Sequence, residues 1–141
     1  MTQTANTNLA EEFFGRINDR DLGVIDDLCA DSFGVEITRM GTDESVMGRA
    51  GLKQIYEEYF GAFPDIRYRI DTVVADDDHA AVFLTTTGTH EGEFRGIAPT
   101  GNEIEVRDAG LVRIEDGQIV DLRPHPDMLG LFEQLGVGLD L

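Results

Sequence analysis

Residues 104–124, IEVRDAGLVRIEDGQIVDLRP, decide the fold of this chain. Apolar and polar residues alternate on both sides of Asp116-Gly117, and a period of two predicts strands. Asp-Gly between two such runs is a strong signal for a two-residue β-hairpin. We therefore predict two long antiparallel strands here, with the other elements packed against them.

The segments before this hairpin extend the predicted sheet. Residues 80–90, AAVFLTTTGTH, predict a long strand with few charges, and residues 65–76, DIRYRIDTVVAD, predict another with clear alternation. The acidic run at 76–79 predicts the turn between them. Residues 32–40, SFGVEITRM, predict a short strand, and residues 41–48, GTDESVMG, predict a turn-rich loop.

Four stretches have the apolar spacing of amphipathic helices. They are residues 6–20, with Thr7 as the N-cap, residues 21–30, residues 48–63, and residues 128–136, which end at Gly136. Helices that precede a meander of strands are typical of an α+β domain, here one domain over residues 1–141. Because long hairpin-linked strands curve strongly, we expect helices to close the concave face around an apolar pocket.

The charge balance is the strongest signal in the composition. There are 28 acidic and 11 basic residues, which gives a net charge of −17, and Lys53 is the one lysine. Such a chain repels nucleic acids and anionic membranes, so we expect neither as a partner. An acidic, lysine-poor composition is typical of halophiles that accumulate salt; an ordinary acidic bacterial protein is the alternative. A melting temperature that does not change from low to molar KCl would exclude a halophilic source for the protein.

The amino terminus and the cysteine content bear on the compartment. No apolar run approaches the roughly 18–20 residues of a membrane span. Residues 1–14, MTQTANTNLAEEFF, lack the basic and apolar regions of a signal peptide, so we expect a cytoplasmic protein. Cys29 is the one cysteine, which excludes an internal disulfide, and we predict that it is a small buried apolar residue.

Three segments resemble the SnoaL-like polyketide cyclase family of the NTF2-like superfamily. They are GRAGLKQIYEEYFGAFPDI (48–66), HEGEFRGIAPTGNEIEV (90–106) and VRIEDGQIVDLRPHPDMLGLFEQLG (112–136). The resemblance extends from about Leu9 to Gly136. It implies an NTF2-like cone, in which N-terminal helices and a short C-terminal helix close a curved antiparallel sheet.

The resemblance also implies a reaction. Characterised members of the family close rings in aromatic polyketide esters by intramolecular aldol condensation, without a metal or a cofactor. An aspartate at the start of the C-terminal helix serves as the acid/base, and Asp127 matches it here. The superfamily also includes isomerases, epoxide hydrolases and pocketed proteins without known activity, so the fold alone does not define the reaction.

Asp127 and His125 are the predicted catalytic residues. An Asp directly before an apolar helix is also a good N-cap, which is the structural alternative for Asp127. A strand spacing of two puts His125 on the same side as Asp127, where the pair would transfer protons near neutral pH. The alternative for His125 is a solvent-facing loop histidine.

Arg123 and Asp108 are predicted to bind substrate. Arg123 stands where many family members have an aromatic residue, which suggests an anionic or carbonyl-rich ligand. It shares strand parity with Ile119 and would hold a carboxylate or an enolate oxygen, or it pairs with Asp121 at the surface. Asp108 lies on the more apolar face of its strand, unless a bulge at Ala109-Gly110 turns it outward.

His90, Tyr59 and Phe63 complete the predicted substrate-binding set. His90 ends the strand at 80–90 and either lines the pocket rim or caps a turn. The two aromatic residues belong to the apolar stripe of the helix at 48–63 and form either core or pocket wall. The three histidines are scattered without the spacing of a zinc site, so we expect no metal.

The leading hypothesis is a small cofactor-independent acid/base enzyme that acts on a carbonyl substrate, by aldol cyclisation or by a related isomerisation. The alternative is a module that binds a small hydrophobic or carbonyl-containing ligand without chemistry. A third hypothesis is a subunit whose open sheet face serves for dimerisation. A homo-oligomer, either a dimer or a tetramer, is expected in each case.

Overall fold

A computed structural model describes residues 3–37 and 45–137 of the chain. The elements follow the predicted α+β order, with helices first and then a meander of long strands. The helices are α1 (Gln3–Asn18), α2 (Gly23–Leu28), α3 (Arg49–Ala62) and α4 (Met128–Gln134). The strands are β1 (Cys29–Ile37), β2 (Ser45–Met47), β3 (Arg67–Ala75), β4 (His79–Thr89), β5 (Glu103–Glu115) and β6 (Gln118–Pro126).

The six strands form one sheet in the order β2-β1-β6-β5-β4-β3. The central hairpin forms as predicted: Glu115 pairs with Gln118 across the two-residue turn. Asp116 and Gly117 both have positive φ, at 52° and 76°, which is the backbone of a type I′ turn. β1 runs parallel to β6, and every other neighbouring pair is antiparallel.

The helices cover one face of this sheet, and the core lies between them. Phe13, Phe14 and Ile17 of α1 and Leu52 and Tyr56 of α3 are all buried. They meet the inward residues of the long strands, which alternate with exposed ones as the period of two predicts. This covered face is called the concave face below, and the opposite face the outer face.

Three details of the amino-terminal half differ from the sequence prediction. The helix predicted at 21–30 ends at Leu28, because Cys29 and Ala30 belong to β1. α1 begins at Gln3, and the Thr7 hydroxyl donates to the Gln3 carbonyl within the helix, so Thr7 is not an N-cap. The predicted loop at 41–48 contains the short strand β2, which pairs with β1 at Val35–Met47. The part of that loop before Ser45 lies outside the described residues.

β6 continues two residues beyond the predicted strand and contains both Pro124 and Pro126. A proline has no N–H to donate, so it is tolerated where a strand has a free edge. The pairing between β1 and β6 ends at Leu122, so the two prolines lie where β6 keeps only its β5 neighbour. The strand therefore carries the chain directly to the start of α4.

Candidate functional site

Asp108 lies on the concave face at the middle of β5. Four inward residues of this strand, two on each side of Asp108, are buried: Ile104, Val106, Val112 and Ile114. The bulge considered at Ala109-Gly110 is absent, because the pairing of β5 with β4 runs without a break from Glu103 to Arg113. The face that strand parity predicts for Asp108 is thus the face it occupies.

The two carboxylate oxygens of Asp108 have different surroundings. Oδ2 accepts a hydrogen bond of 2.6 Å from the hydroxyl of Thr86 on β4. Oδ1 is enclosed and has no hydrogen-bond partner among the described residues. A buried polar atom without a partner is costly, and in native proteins it calls for a functional or structural explanation.

Burial raises the pKa of the Asp108 carboxyl. The hydrogen bond from Thr86 acts in the opposite direction and lowers this pKa, while the negative charge of Asp127 raises it further. A carboxyl whose pKa is raised toward the working pH can both take and return a proton. This electrostatic setting is the one expected of a general acid/base.

Two tyrosines on neighbouring elements lie within electrostatic reach of Asp108. Tyr56 of α3 and Tyr68 of β3 are buried, and their rings contact each other edge to face with centroids 5.8 Å apart. Burial raises the pKa of both phenols, and the Asp108 charge adds to the effect. The two phenols therefore stay protonated, and each keeps an O–H that can donate a hydrogen bond.

Asp127 occupies a different environment, at the N-cap of α4. Its side chain is exposed, and Oδ1 accepts a 2.9 Å hydrogen bond from the Gly130 N–H. A methyl group at Gly130 would collide with the Asp127 carboxylate, so the Asp-x-x-Gly spacing is the spacing that this cap requires. The geometry thus corresponds to the structural alternative for Asp127, and its catalytic role stays a prediction.

Arg123 and His125 lie on the outer face of the sheet. The prediction that Arg123 shares a face with Ile119 is therefore wrong. Ile119 pairs with Ile114 and is buried, but Val120 has no partner and the register shifts there by one residue. A one-residue bulge reverses the facing of every later side chain. Both predicted site residues are consequently exposed.

Arg123 pairs with a carboxylate on that outer face. Its Nε lies 3.5 Å from Oδ2 of Asp121, and the Arg123 side chain is 52% exposed. This is the surface ion pair that the sequence offered as the alternative. An arginine in this position does not hold a ligand inside the cone.

His90 is fully buried at the end of β4. Its Nδ1 accepts a 3.1 Å hydrogen bond from the Thr100 N–H, so the hydrogen bond assigns the ring proton to Nε2. Nε2 has no partner among the described residues. His90 therefore fixes the connection between β4 and β5, as a turn cap does, while its ring faces the apolar interior.

An aromatic cluster surrounds His90 and extends to α4. The Phe63 ring lies 5.4 Å from the His90 ring and 5.6 Å from the Phe94 ring. The Tyr59 ring is tilted against the Phe94 ring with centroids 5.4 Å apart, and its hydroxyl contacts the Met128 sulfur at 3.8 Å. Tyr59 and Phe63 thus belong to one wall that links α3 to the C-terminal helix.

The interior between the described helices and strands is almost filled. Between α1, α3 and the strands lies a cavity of about 10 Å³, which is about the space that one water molecule needs. Apolar residues line it: Ala10, Phe13, Phe14, Cys29, Phe33, Leu52, Val112, Ile119 and Leu122. Cys29 is buried as predicted, and burial raises the pKa of its thiol to about 12. Its thiol therefore stays protonated, which makes it a poor nucleophile.

Sequence patterns missed the residue that contacts Asp108. Thr86 lies in the run Thr85-Thr86-Thr87, where nothing distinguishes one hydroxyl from the next. The available signal was parity, because Thr86 shares the inward face of β4 with Val82 and Leu84. The alternation of residues 65–76 puts Tyr68 on one face with Ile66 and Ile70, but no sequence pattern connects it with Asp108.

The described residues include neither a metal-ligand cluster nor a membrane-spanning helix. They contain no group of three or more His, Cys, Asp or Glu side chains arranged to hold a metal ion. None of the described helices has the length and apolar character to cross a bilayer.

Comparisons with known proteins agree with this architecture. The family model described as SnoaL-like polyketide cyclase matches residues 7–135. Among curated proteins, aklanonic acid methyl ester cyclase DnrD of Streptomyces peucetius is 42% identical over 53 residues, which are 38% of this chain and 37% of that protein. Nogalonic acid methyl ester cyclase of Streptomyces nogalater is 39% identical over 54 residues, 38% of this chain and 40% of that protein. The matched stretches thus span well under half the length of these relatives.

Solved structures are similar over nearly the whole chain. AclR of Streptomyces galilaeus, a proposed hydroxylase, has a TM-score of 0.85 and 25% identity, covering 99% of this chain and 90% of that chain. IdmH of Streptomyces antibioticus, a proposed polyketide cyclase, has a TM-score of 0.83 and 25% identity, covering 94% of this chain and 99% of that chain.

Proposed function

Because the chain belongs to the SnoaL-like polyketide cyclase family, we propose that it is a cofactor-independent acid/base enzyme. The proposed reaction is an intramolecular aldol cyclisation, or a related proton-shift isomerisation, of a carbonyl substrate. The observation that carries the proposal is the enclosed Asp108 carboxylate, which has one oxygen bound by Thr86 and the other unpaired. The methyl ester cyclases among the relatives support the same reaction class.

In the proposed cyclisation, Asp108 transfers one proton twice. The carboxylate takes a proton from the carbon between two substrate carbonyls, and the electron pair of that C–H bond forms an enolate. The enolate carbon attacks a ketone carbon in the same molecule, which forms a C–C bond and an alkoxide. Protonated Asp108 returns its proton to the alkoxide, so the product is an isomer of the substrate and the enzyme is restored.

Tyr56 and Tyr68 are the proposed donors to the enolate oxygen. Both stay protonated and lie within electrostatic reach of Asp108. A hydrogen-bond donor fixed in an apolar interior stabilises a developing oxyanion more than the same donor in water does. The proposal thus gives these tyrosines the enolate-binding role that strand parity predicts for Arg123.

The charges around the site favour a neutral substrate. The neighbours of Asp108 on the inward face of β5, Val106 and Gly110, carry no charge, and Arg123 lies on the outer face. An anionic ligand would meet the Asp108 and Asp127 carboxylates without a cation from these strands. We therefore favour an ester or a ketone over a free acid, in place of the anionic ligand that Arg123 suggested.

Substrate entry requires the cone to open. The interior cavity is about 10 Å³, far below the roughly 300–1,000 Å³ of small-molecule sites. Oδ1 of Asp108 is enclosed as well. The proposed enzyme thus binds substrate in a conformation whose interior cavity is larger than about 10 Å³.

The test is turnover of a panel of β-keto esters and methyl esters of aromatic polyketides by the wild type and by Asp108→Asn. The product has the mass of its substrate, so chromatography and NMR identify it. We expect a loss of turnover of about 10²–10⁴-fold in Asp108→Asn. Full turnover by a folded Asp108→Asn variant would refute the role of Asp108.

Ligand binding without chemistry is the second candidate, and the wholly apolar lining of the interior cavity favours it. This candidate predicts that calorimetry detects binding of these esters by the wild type while no isomer accumulates. It also predicts that Asp108→Asn, which is neutral, binds an apolar ligand at least as tightly as the wild type.

We also propose that two copies associate through the outer face of the sheet. Val74, Phe83 and Leu111 are large apolar residues of this face and are 61%, 48% and 36% exposed. Arginines share the same face in a chain of net charge −17: Arg67, Arg69, Arg107, Arg113 and Arg123. Repulsion between two copies is smallest where these cations offset the acidic residues.

Light scattering after gel filtration tests the association. We expect a dimer for the wild type and a monomer for Phe83→Glu, which replaces one of the three exposed apolar residues of the outer face with a charge. Leu129→Glu is the matched control, because Leu129 is 46% exposed, close to the 48% of Phe83, but lies on α4. A monomeric wild type would refute the proposal.

A further inference from the structure

Thr86 occupies the point on the concave face where β3, β4 and β5 bring their polar side chains together. It pairs with Tyr68 on β3 and with Val106 on β5, so Asp108 is its diagonal neighbour. The Thr86 side chain is buried, and its hydroxyl donates to Oδ2 of Asp108 at 2.6 Å. This distance is typical of a strong hydrogen bond to a charged acceptor.

The hydrogen bond makes the two oxygens of Asp108 chemically different. A hydroxyl donates one proton, and Thr86 donates it to Oδ2. Oδ2 is therefore the acceptor in both protonation states, and a proton added to Asp108 resides on Oδ1. Oδ1 is the oxygen without a partner among the described residues.

We propose that Thr86 is a positioning residue, which holds the Asp108 carboxyl so that Oδ1 alone exchanges the proton with the substrate. This inference rests on the proposed function, since it gives Asp108 its orientation for that reaction. Holding a reacting group in one geometry contributes to the rate because the orientation is not searched for at each turnover. The hydrogen bond also keeps the carboxylate available as a base, because it opposes the effect of burial.

Among the described residues, three titratable groups interact electrostatically with Asp108. They are Asp127 at the N-cap of α4, Tyr56 on α3 and Tyr68 on β3. The two phenols stay neutral, and Asp127 disfavours the Asp108 anion through its charge. Of the groups that act on Asp108, the Thr86 hydroxyl is thus the one that favours the Asp108 anion.

The chain contains a matched control in the adjacent residue. Thr85 is also buried on β4, and its hydroxyl donates at 2.5 Å to Oδ2 of Asp71 on the outer face. Thr85→Val and Thr86→Val each remove one threonine hydroxyl, at neighbouring positions of the same strand. A merely structural role for Thr86 predicts that both variants leave the titration of Asp108 unchanged.

The experiment is an NMR titration of ¹³C-carboxyl-labelled aspartate in folded protein, with Asp108→Asn used to assign the Asp108 signal. We expect the Asp108 midpoint to move to higher pH in Thr86→Val, to return in Thr86→Ser, and to stay in place in Thr85→Val. With an ester that the wild type turns over, we expect kcat to fall about tenfold in Thr86→Val with KM nearly unchanged. If Thr86→Val does not fold, Thr86→Ala replaces it.

The outcomes separate the positioning role from the proposed function. An unchanged Asp108 midpoint in folded Thr86→Val would overturn the role of Thr86, even if Asp108→Asn is inactive. A midpoint that moves, together with full turnover by Asp108→Asn, would overturn the proposed function but not the hydrogen bond's control of Asp108. A moved midpoint with an inactive Asp108→Asn and a recovered Thr86→Ser supports both.

Discussion

Asp108 and Asp127 both lie where the pairing of β5 with β6 ends. Asp108 pairs with Pro126, and Asp127 is the next residue after Pro126. Asp108 is directed into the cone, where one of its oxygens is enclosed and unpaired. Asp127 is exposed and caps a helix. Asp127, which the Asp-x-x-Gly spacing makes recognisable in the sequence, therefore has a structural explanation as a helix cap. Asp108, which no such spacing marks, has the environment expected of an acid/base.

The largest expected effect separates the two aspartates by activity. Asp127→Asn should retain most of the wild-type turnover, because asparagine caps helices about as well as aspartate does. Asp108→Asn should lose about 10²-fold or more in the same assay. The resemblance to the family predicts the reverse order, so an inactive Asp127→Asn beside an active Asp108→Asn would restore Asp127 as the acid/base.

The next effect concerns stability, and it belongs to Asp127. Asp127→Ala removes the acceptor of the Gly130 N–H and should lower the free energy of unfolding by about 1 kcal/mol. Asp127→Asn should cost much less, since its side-chain oxygen replaces that acceptor. Urea denaturation of both variants measures the difference, and equal losses in the two would contradict a capping role.

The pH dependence of stability should distinguish Asp108. Burial raises its pKa in the folded state above the ordinary value of 3.8, so between these two values the Asp108 carboxyl binds its proton more strongly in the folded state than in the unfolded chain. The free energy of unfolding contributed by this group therefore falls as the pH rises from about 3.8 through the raised value. Asp108→Asn should remove this loss, so its stability relative to the wild type should increase from pH 3 to pH 7.

Urea denaturation at several pH values checks this linkage, with Asp127→Asn as the control at an exposed site. A relative stability of Asp108→Asn that is independent of pH would show that Asp108 titrates alike in the folded and unfolded states. That result would weaken the contrast between the two aspartates.

The smallest effects are expected on the outer face. Arg123→Gln and His125→Gln should change the free energy of unfolding by less than about 0.5 kcal/mol, as is usual for exposed residues with weak ion pairs. Neither variant should change turnover, because both side chains lie outside the cone. A large loss of activity in either one would mean that the register beyond Val120 is not the one described.

Much of the fold was predictable because it depends on local patterns. The Asp116-Gly117 hairpin, the alternation along β3 to β5 and the apolar stripes of α1 and α3 follow from turn chemistry and periodicity. The facing of Asp108 was predictable for the same reason, since no bulge interrupts β5 against β4. Each of these features involves residues that are close in sequence.

The orientation of Arg123 and His125 was not predictable in this way. A single unpaired residue, Val120, reverses the facing of the strand after it, and an apolar run such as Ile119-Val120 carries no local signal of a bulge. The prolines at 124 and 126 marked an irregular stretch but not its direction. Parity counted from Ile119 therefore gave the wrong face.

The order of the elements, the central hairpin and the inward position of a carboxylate on β5 follow from the amino-acid sequence. Which carboxylate is enclosed, and which residue holds it, depends on how distant segments pack. Thr86 and Asp108 are 22 residues apart and meet because two strands pair in one register. Asp127 is exposed because the chain turns into α4 there and its carboxylate caps the new helix. Local preference sets the period of each strand, but register, bulges and burial arise from packing between distant segments.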